Sequence, residues 1–105
     1  MSSEHQFLAA LCPNPFRDTA LAQTRRAQQL LQAHGVQTAI CPIYDDDASG
    51  VLPEGIAYEA LQSVADRAGL LVCFGGDGTI LHAARAAVGS AAPILGINMG
   101  TRGFL

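Results

Sequence analysis

Lysine and tryptophan are both absent from this sequence of 105 residues. The chain contains six basic residues, all of them arginines, and nine Asp and Glu residues, so the formal net charge is -3 at pH 7. The largest basic cluster is the pair Arg25 and Arg26, which we assign to a solvated helix face. Proteins that bind nucleic acid normally present a basic face to its phosphates. We therefore expect no nucleic-acid partner.

Charged residues of both signs are scarce. They make up 14% of the chain, whereas soluble domains carry about a quarter, and 50% of the residues are hydrophobic. A chain of this length forms one domain or a piece of one, with a core of limited size. We therefore expect surplus apolar surface that meets a partner, either another copy of the chain in a homo-oligomer or a second domain.

Cysteines are few and long apolar segments are missing. Cys12, Cys41 and Cys73 form no Cys-x-x-Cys pair and have no histidine at ligand spacing, which predicts reduced core thiols and no protein metal site. The apolar run 7–12 is too short to span a membrane, and no cleavable leader precedes it. We expect a soluble, cytoplasmic protein without membrane contact.

Apolar runs that end at proline or glycine predict four β-strands, at 7–12, 36–43, 70–74 and 93–98. Between them, apolar residues at helical spacing predict three helices. The first is capped by Asp18 or Thr19 and ends at Gly35, the second includes Tyr58 and ends at Gly69, and the third ends at Gly89. Strands that alternate with helices form mainly parallel sheets. The sequence therefore predicts an α/β fold, an open and mainly parallel sheet of about four strands with helices on both faces.

The third predicted strand runs into the turn Gly75-Gly76-Asp77-Gly78-Thr79, which opens a helix. Glycines let backbone amides approach a ligand, and a helix N-terminus favours an anion. The carboxyl ends of parallel strands share one edge of the sheet, so the turns that follow the first and last strands meet this one there. The pattern predicts a phosphate site at that edge.

Asp77 needs a separate explanation, because a carboxylate repels a bound phosphate. It could cap the helix by accepting a hydrogen bond from the N–H of Thr79 or Ile80. It could instead be a catalytic or metal-linked carboxylate. The local pattern leaves both hypotheses open.

A second motif, Asn98-Met99-Gly100-Thr101-Arg102-Gly103-Phe104-Leu105, follows the last predicted strand. With Ala83-Ala84-Arg85 and the first motif, it resembles the amino-terminal half of the ATP-NAD kinases. Diacylglycerol and sphingosine kinases share the first motif but not the second. The resemblance implies transfer of a phosphoryl group from ATP, another nucleoside triphosphate or polyphosphate to the 2′-hydroxyl of NAD. It also implies a Rossmann-like fold and a divalent metal ion, Mg²⁺, that arrives with ATP.

The resemblance also implies roles for individual residues. Asp77 would be the catalytic base that accepts the hydroxyl proton. Six residues would bind the nucleotides: Gly76, Gly78, Thr79, His82, Asn98 and Phe104. The family usually carries an apolar residue at the position of Arg102, so that arginine is a departure from the pattern.

Alternative functions are a lipid or sugar kinase of the wider superfamily and a nucleotide-binding or assembly module without turnover. The helix Ile80-Leu81-His82 lacks the glutamate that lipid kinases place soon after the glycine motif. By resemblance, residues 1–105 form the amino-terminal α/β domain, and the β-rich carboxyl-terminal domain of the family has no counterpart after Leu105. We expect 1–105 alone to be inactive.

Overall fold

Strands and helices alternate along the chain in the predicted order. The computed structural model describes residues 7–43 and 52–99. Its strands are β1 (Leu8–Pro13), β2 (Gln37–Ile40), β3 (Leu70–Gly75) and β4 (Ile94–Asn98). Its α-helices are α1 (Ala22–Ala33), α2 (Leu61–Val64) and α3 (Asp77–Ala86). Single 3-10 turns precede α1, at Thr19–Leu21, and follow α2, at Ala65–Arg67.

The four strands form one sheet in the order β2-β1-β3-β4, and each neighbouring pair is parallel. The α/β fold with a parallel four-stranded sheet is therefore confirmed. The chain adds β2 on one side of β1 and adds β3 and β4 on the other, so the strand order reverses between β1 and β3. Open parallel sheets bind ligands beyond the carboxyl ends of the strands at such a reversal. The turns after β1 and β3 lie at this point, joined by a hydrogen bond of 2.9 Å from the Asn14 N–H to the Phe74 carbonyl oxygen.

Side chains alternate between the two faces of the sheet and build two hydrophobic clusters. On one face, Leu61 and Val64 of α2 and Ala83 of α3 pack with Cys12 and Leu71. The opposite face is covered by α1, whose Ala27 and Leu31 pack against the second cluster. That cluster consists of Ala9, Leu11, Leu21, Ile40, Val72 and Phe74. The predicted placement of helices on both faces is confirmed.

Asp18 fixes the start of α1. Its carboxylate is 1% exposed and accepts hydrogen bonds from the Gln23 N–H (2.9 Å), the Thr24 N–H (2.8 Å) and the Thr24 hydroxyl (2.7 Å). The prediction that Asp18 or Thr19 caps this helix is confirmed for Asp18. Between the cap and the helix, Leu21 adopts a left-handed conformation (φ 54°) and is fully buried.

The ends of the helices agree with the sequence at two glycines and differ around α2. Gly35 (φ 82°) and Gly89 (φ 94°) are left-handed, as stop signals require. Gly69 has another role, because a Cβ there would collide with the ring of Phe7. The helix predicted to include Tyr58 begins only at Leu61. Tyr58 instead forms a parallel bridge with Ile40, and its hydroxyl donates to the Pro53 carbonyl oxygen at 2.6 Å.

None of the helices within 7–43 and 52–99 is long and apolar enough to cross a membrane. The longest of them, α1, has 12 residues and is largely polar.

Candidate functional site

The turn between β3 and α3 is stabilised by hydrogen bonds among its own residues. Gly76 is the N-cap of α3, and its carbonyl oxygen accepts hydrogen bonds from the N–H groups of Thr79 (3.0 Å) and Ile80 (3.2 Å). In return, the Thr79 hydroxyl oxygen accepts from the Gly76 N–H at 3.3 Å. Thr79 is 1% exposed, so its side chain lies beneath the turn. This reciprocal bonding fixes where the helix begins without any help from Asp77.

Gly75 is required by the close packing of the turn. A Cβ at this position would collide with the Thr79 hydroxyl oxygen and would lie 3.1 Å from the Cβ of Asn14. Any larger residue would push the turn away from the helix or from the loop that follows β1. The first glycine of the motif is therefore explained by the fold.

Gly76 and Gly78 have no such explanation among the described residues. A Cβ at either position would meet nothing within 4 Å, and neither residue has a left-handed φ. Glycine costs about 1 kcal/mol relative to alanine inside a helix, and Gly78 lies in the first turn of α3. Two glycines that the fold does not need border open space, which is where a ligand approaching the backbone would lie.

Asp77 is the first residue of α3, and its side chain is exposed. The two N–H groups that a capping carboxylate would use, those of Thr79 and Ile80, already donate to the Gly76 carbonyl oxygen. Within the described part of the chain, the Asp77 carboxylate makes no hydrogen bond or ion pair. The hypothesis of a hydrogen-bonded cap is therefore wrong. Its charge still interacts favourably with the helix dipole, by about 0.3–1 kcal/mol.

A pocket of about 50 Å³ lies beside this carboxylate, between α3 and β4. It is lined by Cys73, Gly75, Gly76, Asp77, Ile80, Gly96, Ile97 and Asn98. Asn98 ends β4 and is the register partner of Gly75, so the carboxyl ends of two neighbouring strands supply its polar wall. The volume holds a few water molecules but not a nucleotide. The pocket is therefore one wall of a larger site.

The far wall of the pocket depends on a third close contact. A Cβ at Gly96 would lie 2.5 Å from the terminal methyl of Ile80, so glycine lets α3 approach β4. Glycine within a strand often marks such an approach. The sequence analysis did not include Ile80 or Gly96 in the site, although the glycine in an apolar strand was a usable signal.

Asn14 is a second residue of this edge that the sequence analysis did not assign to the site. It follows β1, is 7% exposed, and its side-chain oxygen accepts a hydrogen bond of 2.9 Å from the Phe16 N–H. It packs against Gly75 at the reversal of strand order. An asparagine between two prolines at the end of an apolar run was the available signal.

The structure brings only part of the predicted site together. Gly76, Asp77 and Asn98 line one pocket. Gly78 follows Asp77 in the first turn of α3 and is not among the lining residues. His82 lies in another pocket, of about 370 Å³, between α2 and α3.

His82 shares that second pocket with Arg85, on the side of α3 that faces α2. Thr79 is beneath the turn, where its hydroxyl serves the Gly76 N–H. The predictions for Phe104 and Arg102 lie outside the described residues.

Across 7–43 and 52–99, no group of three or more His, Cys, Asp or Glu side chains is arranged to hold a metal ion. Mg²⁺ in phosphotransfer sites is usually bound by one or two carboxylates together with substrate phosphates. Asp77 is the carboxylate that lines the pocket. The donor set therefore fits a metal ion that arrives with a nucleotide.

A parallel α/β sheet with a glycine turn and an exposed carboxylate at its point of strand reversal is typical of domains that bind phosphate groups. The sequence model of the ATP-NAD kinase N-terminal domain matches residues 10–105. The chain therefore belongs to the ATP-NAD kinase family.

Curated relatives agree with this assignment. The NAD kinase of Acetivibrio thermocellus is 34% identical over 95 residues, which are 90% of this chain and 32% of that protein. The NAD kinase of Mycobacterium bovis is 34% identical over 88 residues, 84% of this chain and 29% of that protein. That of Cutibacterium acnes is 46% identical over 68 residues, 62% of this chain and 21% of that protein. The chain spans about a third of the length of the first two relatives.

Proposed function

We propose that this chain is the amino-terminal domain of an NAD kinase, which transfers the terminal phosphoryl group of ATP to the 2′-hydroxyl of NAD and yields NADP. The observation that carries the proposal is the carboxylate of Asp77, which has no hydrogen-bond or ion-pair partner within residues 7–43 and 52–99. It stands exposed at a helix N-terminus beside two glycines that the fold does not need. The relatives named NAD kinase support the same activity.

Asp77 acts as the general base. Its carboxylate accepts the proton of the 2′-hydroxyl as the hydroxyl oxygen attacks the γ-phosphorus and ADP leaves. The carboxylate is free for this task because it caps nothing in the described part of the chain. The Gly76 N–H already donates to the Thr79 hydroxyl, so Gly76 would serve by leaving its backbone open to the ligand. The Gly78 N–H, in the first turn of α3, would donate to phosphate or ribose oxygens. Asn98, on the opposite side of the pocket, orients the dinucleotide by hydrogen bonding.

The remaining predicted contacts have different positions. Thr79 supports the site by holding the Gly76 amide, and its ligand contact stays a prediction. His82 lies on the side of α3 that faces α2, so any contact it makes involves a different part of the nucleotides from the one that Asp77 meets. Phe104 is assigned to the dinucleotide pocket by family resemblance.

A divalent ion such as Mg²⁺, held mainly by the phosphates of ATP, would supply charge neutralisation at the transferring phosphoryl group. The chain's contribution is one carboxylate and a set of backbone amides at the edge of the sheet. We propose that a β-rich second domain supplies the rest of the cleft, because a pocket of about 50 Å³ is too small for NAD. We also propose that the intact protein is a cytoplasmic homo-oligomer.

The experiment is a phosphoryl-transfer assay of the intact protein that carries this domain. It is incubated with ATP and Mg²⁺ and with either NAD or a diacylglycerol dispersion, and the products are separated by chromatography. Formation of NADP phosphorylated at the ribose 2′ position supports the proposal. Phosphorylation of the lipid alone, or of neither acceptor, would refute it in favour of a lipid kinase or a module without turnover.

A further inference from the structure

Three cysteines that are distant in the sequence form one row across the sheet. Cys12 of β1 and Cys73 of β3 are register partners in adjacent strands. Cys41 follows β2 and donates its N–H to the Leu11 carbonyl oxygen at 2.7 Å, which continues the pairing of β2 with β1. All three thiols belong to the cluster beneath α2 and α3. The sequence analysis treated them as separate core thiols, because strand register is not visible in the sequence.

The pair Cys12 and Cys73 meets the Cα–Cα distance requirement of a disulfide. Neighbouring strands lie about 4.8 Å apart, and the Cα atoms of disulfides are separated by about 4.4–6.8 Å. Their side chains share one face of the sheet, because both belong to the same hydrophobic cluster. The Cys12 sulfur lies 3.7 Å from the Ala10 carbonyl oxygen of the same strand. The Cβ atoms of a disulfide lie about 3.5–4.5 Å apart, slightly closer than the spacing of the strands. A bond between the two sulfurs therefore needs side-chain rotation and a small approach of β1 and β3.

Access distinguishes the three thiols. Each is at most 1% exposed, but Cys73 forms part of the lining of the pocket beside Asp77. Cys12 and Cys41 are not among its lining residues. A pocket with room for a few waters admits hydrogen peroxide, which is little larger than water, and excludes glutathione disulfide.

The pKa shifts of the three thiols also favour Cys73 as the nucleophile. The neighbouring thiol of Cys12 lowers the pKa of Cys73. That contact and burial together raise the pKa of Cys12. Burial raises the pKa of Cys41 to about 12, so this thiol stays protonated at neutral pH. Thiolates, and not thiols, react with peroxides.

We propose that Cys73 and Cys12 are a site of oxidative modification, at which a peroxide produces a disulfide across β1 and β3. In the first step the Cys73 sulfur attacks one peroxide oxygen, the O–O bond breaks, and a sulfenic acid and one water form. In the second step the Cys12 sulfur attacks the Cys73 sulfur, the S–O bond breaks, and a second water leaves. Two thiols are thus oxidised by two electrons, and one hydrogen peroxide is reduced to two waters.

Trypsin provides a clean test, because cleavage after arginine places the three cysteines in separate peptides, 1–17, 27–67 and 68–85. The native chain is treated with hydrogen peroxide, free thiols are alkylated in denaturant, and the digest is analysed by mass spectrometry. We expect 1–17 linked to 68–85, with a mass two hydrogen atoms below the sum of the two peptides. We expect 27–67 alkylated at Cys41, and loss of the linked species on reduction. Glutathione disulfide at the same concentration should react much more slowly.

Cys41→Ala is the matched control, since it removes a buried thiol of the same row and should leave the link intact. Cys12→Ala should abolish the link and leave a sulfenic acid on Cys73 that dimedone traps. A link that involves 27–67, a sulfinic acid on Cys73 without any link, or no reaction of Cys73 would overturn the proposal. If Cys12→Ala does not fold, the peptide map of the unmodified chain still decides which cysteines pair.

Discussion

Replacing Gly78 by alanine is expected to stabilise the fold and to abolish phosphoryl transfer. The added methyl meets nothing within 4 Å, and the backbone there is not left-handed. Alanine therefore gains helix propensity and loses less entropy on folding. Because the position lies in the first turn of α3, we take about half of the interior value, or about 0.5 kcal/mol. That free energy corresponds to a rise in melting temperature of about 2–4 °C for a domain of this size.

Gly75→Ala is the matched substitution, and we expect it to have the opposite effect on the stability of the fold. Its methyl would collide with the Thr79 hydroxyl oxygen and press on Asn14, so we expect destabilisation by about 1–3 kcal/mol. Both variants and the unmodified chain are compared by urea and thermal unfolding. Destabilisation of Gly78→Ala by more than 1 kcal/mol would refute the inference that the space beside this glycine is open in the folded chain.

The functional half of this prediction uses the intact protein. A methyl at Gly78 would displace the bound phosphate or ribose, and a displacement of about 1 Å costs on the order of 10²-fold in rate. We expect Gly78→Ala to lose NADP formation by at least that factor although it melts higher. A variant that is both more stable and fully active would show that the glycine serves neither the fold nor a ligand.

The remaining predictions concern the cap, the metal and the domain. Asp18→Ala should cost about 1–3 kcal/mol in urea unfolding because three donors lose their acceptor, whereas the exposed Glu54→Ala should cost below about 0.5 kcal/mol. NADP formation should stop in excess chelator and return with Mg²⁺; full activity in chelator would exclude a metal requirement. Residues 1–105 alone should form no NADP with ATP and Mg²⁺. They should also associate in solution through exposed apolar side chains such as Val88 (83% exposed) and Leu95 (51% exposed). Robust turnover by a monomer would show that this chain contains a complete active site.

The sheet was predictable because its signals are local. Apolar runs that stop at proline or glycine fixed the strands to within a few residues, and the glycine turn placed the start of α3. Tyr58 was wrongly assigned to a helix, because its bridge to Ile40 joins residues that are distant in the sequence and cannot be inferred from local spacing. The row of cysteines was missed for the same reason, since register joins residues of three different strands.

The candidate site was predictable in its centre and not at its margins. The sequence of the turn identified Asp77 as a candidate functional residue. Only the hydrogen bonds of the Thr79 and Ile80 amides in the structure could decide whether it caps the helix. The position of His82 could have been foreseen. Five residues along an α-helix rotate a side chain by about 140° away from Asp77, at 3.6 residues per turn. The structure places the histidine on the side of α3 that faces α2.

Asp77→Asn in the intact protein is the most direct test of the proposed role of this carboxylate. The amide keeps the size of the side chain but cannot accept the hydroxyl proton, and no hydrogen bond within the described residues is lost. We expect the turnover number for NADP formation to fall by at least about 10²-fold, with the affinity for NAD nearly unchanged. The free energy of unfolding should fall only by the lost helix-dipole interaction, about 0.3–1 kcal/mol. Turnover near that of the unmodified protein would contradict the assignment of Asp77 as the catalytic base.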